Sequence, residues 1–524
     1  MATPGQGSIR PQPVIYQALN IVRMSDSLEP SGDASTASLI YNAYPQNPRT
    51  SHKIVGRPGV TLLGTASPTG LGQMVAQFRR LSGTAYTVLI IAGNMYTVNW
   101  AVPSLVSVAL PGWLTFQTTG KIYWTVLADK LIISDGVRAP VSWDGTTFVD
   151  LTMCPVLFGQ PVVHYAKLHG IIAANPVQIC WSEENDPTVG YLGTDAVTGD
   201  PYDNQWVLGQ TSQDRLYVLM PTADALYFSR GRSWSIITGP NEDDYRSSGN
   251  REAVSNSIGC VNPSLCIFRN DEIWFADING FFHTIAMGGQ PQPIWEGYRE
   301  TIAGADKDPP ATTGGRATLC SMVEWPLIPL VMATVAIVNG IYWRYRILTW
   351  NPETKECQGV WDLPTNVEPT HLGTANNLNE LDRVIMVLDE TGHVLTFGTP
   401  AAGPWQDTTQ AGTAAITHKV IADSLGWDDT QEKDFESITA LYFQKALGTA
   451  TIGYTTPRRL TSVPQTVQTS STTTNPTEIR RKVGVKQLGR WLAPETTHTQ
   501  INEIFGFLGF EVGAYVVANG PKVK

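Results

Sequence analysis

The feature that most constrains this chain is a repeated phrase. LIISDG (Leu131–Gly136), LYFSRG (Leu226–Gly231) and IWFADING (Ile273–Gly280) each run as an apolar triplet, a small residue and a polar residue, then reach a glycine. The glycine supplies the positive-φ turn from which a following strand can start. Each phrase sits inside a larger unit of apolar strand, short polar turn and second apolar strand. Tyr86–Ala92 followed by Gly93-Asn94 and Met95–Val98 is one such unit, and Arg383–Leu388, Asp389–Gly392 and His393–Phe397 form another. Unit starts fall about 36 to 60 residues apart. One antiparallel meander of that length cannot bury both of its faces, so several must stack around an axis. The expected fold is all-β: an irregular β-propeller of about six or seven blades followed by a smaller C-terminal β-sandwich-like domain. A pair of ordinary β-sandwiches is the competing arrangement. Helical periodicity is nearly absent, with Leu71–Leu81 the one fair helix candidate, itself readable as a strand.

Changes of texture give the boundaries. Residues 1–60 hold seven prolines and only short apolar runs, and read as an extended N-terminal arm with no core of its own. The propeller is expected over 61–398. A stretch rich in Pro, Gly, Ala and Thr over 399–415 reads as a linker, and 416–524 as the C-terminal β-domain, with a Thr/Ser-rich flexible loop at 461–478. The longest apolar run, residues 325–343, has the length of a membrane helix, but Pro326, Pro329, Asn339 and Gly340 argue for a hairpin buried in a core or a subunit interface. Trp325, Leu327, Leu330, Val331 and Val335 in this run are the candidates for a subunit interface or a gate.

Only 16% of the 524 residues are charged, against roughly 25% in typical soluble chains. With 16 Trp and 18 Tyr, this points to large aromatic surfaces buried against a partner. The net charge of −10 disfavours tight sequence-independent DNA binding, although the segment from Leu441 onward holds ten Lys and Arg against four Asp and Glu. The six cysteines form no Cys-x-x-Cys pair and read as reduced core thiols, which suits folding in a cytoplasm. The first eleven residues show neither a basic nor an apolar leader segment, so no secretory signal is expected.

Catalytic patterns are hard to find. No phosphate-binding Gly-x-x-x-x-Gly-Lys-Ser/Thr, no Gly-x-Ser-x-Gly and no His-Glu-x-x-His occurs. No cofactor or metal is expected. His164 and His169 read as satisfied histidines on adjoining strands. The acidic stretch Ser182–Asn204 has the oxygens for calcium without the spacing of an EF-hand, and reads as a solvated loop. Asp135 and Asp277 fall on turns, where carboxylates cap backbone N–H groups.

The most specific text is LIYNAYPQNPRTSHKIVGRPGV (Leu39–Val60). It resembles the N-terminal signature of the tail nozzle, or packaged-DNA stabilisation, proteins of short-tailed bacteriophages (podoviruses). Asn42, Tyr44 and Pro45 match the first phrase of that signature, and Arg57, Pro58 and Gly59 the second. Gln46 departs from it where an acidic residue is usual. Phrases over 129–151, 212–240 and 258–282 also look like the family. The resemblance implies a structural virion protein of the tail, made in the host cytoplasm, with no enzymatic turnover. It implies a homohexameric channel that retains packaged DNA and lets it pass at ejection. Its partners would be the tail adaptor ring below the portal, tail fibres or spikes, and passing double-stranded DNA without sequence-specific binding. The alternative from another class is a phage tail propeller enzyme or receptor-binding depolymerase acting on host polysaccharide.

Overall fold

A computed structural model describes residues 13–19, 23–24, 36–46, 53–64, 68–191, 204–208, 215–239, 251–295, 319–325, 327–339, 342–364, 367–376, 383–398, 406–409, 412–422, 424–425, 433–442, 449–457, 462, 464–468, 479–500 and 506–516. Among these residues the chain is a seven-bladed propeller joined to a two-sheet sandwich.

Blades 1 to 5 are separate antiparallel sheets in chain order, over residues 72–107, 123–150, 157–207, 218–255 and 266–295. Blade 6 consists of Met322–Trp325, Leu330–Asn339, Tyr342–Trp350 and Cys357–Trp361. Blade 7 takes three strands from one part of the chain, Pro369–Asn376, Arg383–Asp389 and Val394–Phe397. Its fourth comes from the N-terminal region: Val60–Leu62 pairs antiparallel with Val394–Phe397, Val60 opposite Phe397 and Leu62 opposite Leu395. The first strand of each blade lies against the first strand of the next, and Pro369–Asn376 of blade 7 lies against Gly72–Arg79 of blade 1, which closes the ring. The helix candidate near Leu71–Leu81 is therefore the innermost strand of blade 1.

The repeated phrases occupy one position, the second strand of blades 2, 4 and 5. Their glycines Gly136, Gly231 and Gly280 have φ of 78°, 85° and 84°. The apolar triplets follow from burial on both faces. Leu131 and Ile133 pack towards blade 1, while Ile132 between them packs towards blade 3. Leu226 and Phe228 face blade 3, and Tyr227 faces blade 5. A strand covered on both sides reads as a continuous apolar run, where a half-exposed strand would alternate. Each gap between neighbouring blades thus carries its own apolar layer.

The same rule decides between the two settings expected for the 325–343 run. Trp325 and Leu330 fill the layer between blades 6 and 7, and Val331 and Val335 the layer on the other face of blade 6. All four are buried within the chain; Leu327 alone of the five is exposed. Packing inside the molecule accounts for their apolar character, so of the two settings expected for the run, core or subunit interface, these four occupy the core. Among the described residues no helix is long and apolar enough to cross a membrane.

The sandwich differs from expectation in its sources. One sheet contains Ile479–Gly489, Lys433–Tyr442 and Gly506–Val516, and continues into Pro13–Leu19, Lys53–Gly56 and Ala43–Gln46. The other contains Gln465–Gln468, Thr449–Thr455, Ala493–Gln500 and Gly412–Ala422, then Thr36–Tyr41 and Arg23–Met24. The N-terminal stretch is thus strand material for the smaller domain and not a separate arm. Gln406–Thr409 and the start of Gly412–Ala422, expected as linker, are strands, and Gln465–Gln468 is an edge strand inside the expected Thr/Ser-rich loop. Some of these strands pair locally, as Gln406–Thr409 does with Gly412–Ala415, and others across most of the chain, as Pro13–Leu19 does with Gly509–Tyr515 and Ala37–Tyr41 with Lys419–Ala422.

Candidate functional site: the ring closure and the axial cavity

Propeller and sandwich meet where the ring is closed, and the signature residues sit at that seam. Asn42 is buried with φ of 53°, a left-handed conformation that asparagine tolerates better than most residues. Its backbone N–H donates to the Val360 carbonyl of blade 6, and its carbonyl accepts from the Arg57 N–H at 2.9 Å. Its side chain binds both domains: Nδ2 donates to the Thr417 carbonyl at 2.9 Å, and Oδ1 accepts from the Asp362 N–H at 2.6 Å and from Arg57 Nε at 3.1 Å.

Arg57 is only 1% exposed. Its guanidinium makes a two-pronged contact with Asp407, at 2.9 and 2.7 Å, and also donates to the carbonyls of Pro58 and Asp362. Asp407 Oδ1 further accepts from the Val60 N–H at 3.0 Å, at the first residue of the closing strand. A buried ion pair is tolerable where its remaining donors and acceptors are satisfied, and here the fork-on-carboxylate geometry and the carbonyls supply that. Gly59 lets the strands touch, because a Cβ there would stand 2.0 Å from the Gln406 carbonyl oxygen. Tyr44 is buried against Trp361, ring centroids 5.8 Å apart, and the Trp361 indole donates to the Ala43 carbonyl at 3.1 Å. Burial pushes the Tyr44 hydroxyl well above its ordinary range. His418 Nδ1 lies 2.7 Å from the Asn42 carbonyl, and burial lowers this imidazole to about 3. The structure brings Asn42, Tyr44, Arg57 and Gly59 together in one seam. Asp407, Asp362, His418 and Trp361 complete it, and no local pattern of residues marks them: a buried arginine demands an acid without indicating which.

A second feature lies at the propeller axis. A cavity of ≈190 Å³ is walled by first-strand residues of several blades, among them Val75, Tyr123, Gln160, Ser321 and His371. Lys121 is buried beside it. Its Nζ lies 2.7 Å from His371 Nδ1 and donates to the Thr370 carbonyl at 3.2 Å, while His371 Nε2 accepts from the Val75 N–H at 3.2 Å. A neutral imidazole that accepts at Nε2 carries its proton on Nδ1, the nitrogen that faces the Lys121 amine. Burial lowers Lys121 to about 7 and lowers His371 well below the usual histidine range, the lysine adding to the latter. This trio ties blades 2, 7 and 1 together at the inner ring.

Three buried aspartates are engaged in turns. Asp135 Oδ1 accepts from the N–H groups of Val137 and Arg138, Asp277 Oδ1 from Asn279 and Phe281, and Asp389 Oδ1 from Thr391 and His393. In the acidic loop, Asp186 caps Thr188 and Glu183 accepts from Asn204; residues 192–203 lie outside the described residues. Among the described residues no group of three or more His, Cys, Asp or Glu could hold a metal ion.

No protein-family model matches the chain, and no curated protein does. Among solved structures it is similar to the computationally designed Ika8 protein (9% identity, 65% of this chain and 99% of that one, TM-score 0.36). It is also similar to the extracellular domain of the putative one-component system BT4673 from B. thetaiotaomicron (8% identity, 72% of this chain and 43% of that one, TM-score 0.40). A third is YCF48 from Cyanidioschyzon merolae (10% identity, 66% of this chain and 99% of that one, TM-score 0.39). Likeness at this level bears on neither lineage nor function.

Proposed function

We propose that this chain is a structural virion protein, the distal tail nozzle of a short-tailed bacteriophage. In this reading six copies form a channel that retains packaged DNA and lets it pass at ejection, docked on a tail adaptor ring and contacting fibres or spikes. One observation carries the proposal. Asn42 and Arg57, from the phrase that resembles the nozzle signature, form a buried structural lock with their polar side-chain atoms spent on holding two domains together. A signature spent on architecture suits a subunit whose work is to stay rigid in an assembly. The axial cavity of ≈190 Å³ has room for a few waters or a small molecule, so DNA would pass between subunits and not through a propeller.

The test is the mass and symmetry of the purified full chain, alone and on phage tails. A six-fold ring of about 343 kDa, six times the 57.2 kDa chain, with a central channel by negative-stain electron microscopy is the expected result. A chain that stays monomeric, is absent from phage tails and releases sugars from host polysaccharide would overturn it in favour of the enzyme reading.

A further inference from the structure

The seam spends its polar atoms on the protein, whereas the axial cavity keeps some unspent. Among the residues that line its ≈190 Å³, the side chains of Trp124, Gln160 and Thr374 make no hydrogen bond to the described residues. All three are half-buried and lie on the first strands of blades 2, 3 and 7. Three blades thus bring polar groups to one space, where only water or a ligand can satisfy them. Gln160 is placed there by an irregularity. Its strand shifts register between Phe158 and Val162, with Gly159 at φ of 72°, and such bulges re-aim a side chain. Ile267 and Val323, from blades 5 and 6, add apolar wall.

The lining also fixes the charge of what could enter. Among the described residues no Asp, Glu, Lys or Arg lines the cavity. His371, its one imidazole, has both ring nitrogens engaged, by the Val75 N–H and by Lys121. Burial and the neighbouring lysine hold it well below the usual histidine range, so it is neutral at pH 7. A charged ligand would enter without a counter-charge, at a large cost that a neutral one escapes. The Gln160 amide and the Thr374 hydroxyl both donate and accept, and the Trp124 indole donates, so the ligand must do both as well. It must also offer an apolar face to the indole and the aliphatic wall. A sugar ring has hydroxyls around its rim and C–H groups on its faces. The volume lies below the roughly 300–1,000 Å³ of sites for drug-sized ligands, so it suits one ring and not a chain.

We propose that the axial cavity is a binding site for one neutral monosaccharide ring, with its hydroxyls bonded by Gln160, Thr374 and the Trp124 indole. Ile267 and Val323 cover its apolar face. The lining holds no carboxylate, the group on which most glycoside hydrolysis turns, so the sugar is held and not cleaved. Such a site does not depend on whether six copies form a ring.

The experiment records ligand-observed saturation-transfer NMR on the full chain at pH 8, where Lys121, lowered to about 7 by burial, is mostly uncharged. Glucose, galactose, mannose and N-acetylglucosamine are the neutral probes, and glucuronate and galacturonate the charged ones. The expected result is transfer to at least one neutral sugar, with a dissociation constant on the order of 1 mM. The uronates should bind about tenfold more weakly or not at all. Gln160→Leu and Thr374→Val should each weaken binding about 3- to 10-fold and leave the melting temperature unchanged, since neither side chain bonds to the protein. Trp124→Phe keeps an aromatic ring and deletes the donor, and gives a further reading should either of these unfold. Three results would overturn the proposal. The first is no transfer to any neutral sugar at about 50 mM, which would leave the cavity to water alone. The others are uronates that bind as well as the neutral sugars, and folded variants that bind as the wild type does.

Discussion

Blades 2 to 5 and blade 7 are built to the same plan from different materials. Each of blades 2 to 5 is assembled from neighbouring strands and held between two apolar layers. Blade 7 borrows its last strand from the opposite end of the chain and is fixed there by a buried polar network around Arg57 and Asp407. The contrast separates two ways of specifying a structure. Apolar layers supply stability that tolerates exchange of one residue for another of similar size. A polar network is far less forgiving, because an unmatched buried partner costs more than the bond it loses.

The largest effect should come from cutting that network. Arg57→Ala leaves the Asp407 carboxylate buried and unpaired and should cost roughly 3–5 kcal/mol in chemical denaturation. Arg57→Met with Asp407→Leu should recover much of that loss, whereas a loss as small as that of a surface mutant would break the comparison. Next comes pH. Lys121 sits at about 7 in the fold against an ordinary 10.5, so the unfolded chain binds its proton first as pH falls. The stability it contributes is present above 10.5 and lost down to about 7, by up to about 5 kcal/mol. Lys121→Met should flatten that slope in melts from pH 7 to 10. Below the ordinary histidine value of 6.5 a second loss should begin, since His418 and His169 sit at about 3 and His498 at about 4. These depressed imidazoles destabilise the fold as pH drops from 6.5, and His418→Gln should lessen the acid sensitivity of the seam.

Smaller effects should mark the local blades. Asp277→Ala removes a carboxylate that accepts two turn N–H groups and a contact from His283 at 3.3 Å, and should lower stability by about 1–3 kcal/mol. Its hydrogen-exchange signature should stay within blade 5, whereas that of Arg57→Ala should span blade 7 and the sandwich. The smallest belongs to Leu81, 92% exposed at a turn, where Leu81→Ser should move stability by less than about 0.5 kcal/mol.

How much of this was legible in the sequence follows the same division. LIISDG, LYFSRG and IWFADING announced the propeller because each blade is a local object whose turn residues sit beside its strands. The seventh blade was half visible: Arg383–Phe397 reads as a hairpin, but nothing near Val60 shows that it will lie beside Val394. The apolar run at 325–343 left core and subunit interface both open, because a strand buried on both faces and a strand awaiting a partner look alike as sequence. Arg57 stood out in its phrase; Asp407, in a stretch of Thr, Gln, Ala and Gly, did not, since a partner 350 residues away leaves no local trace.

The closing strand also sets an order of events in time. Val60–Leu62 leaves the ribosome early, and its partner Val394–Phe397 follows more than 330 residues later. At about 5–20 residues per second, the early strand waits on the order of 17–67 s before it can pair. Through that interval the early strand has no partner in blade 7, and blade 1 lacks the blade that will cover its outer apolar face, so both are open to another nascent chain. Translation speed and chaperone supply should therefore govern the yield of this protein more than the stability of the finished molecule does.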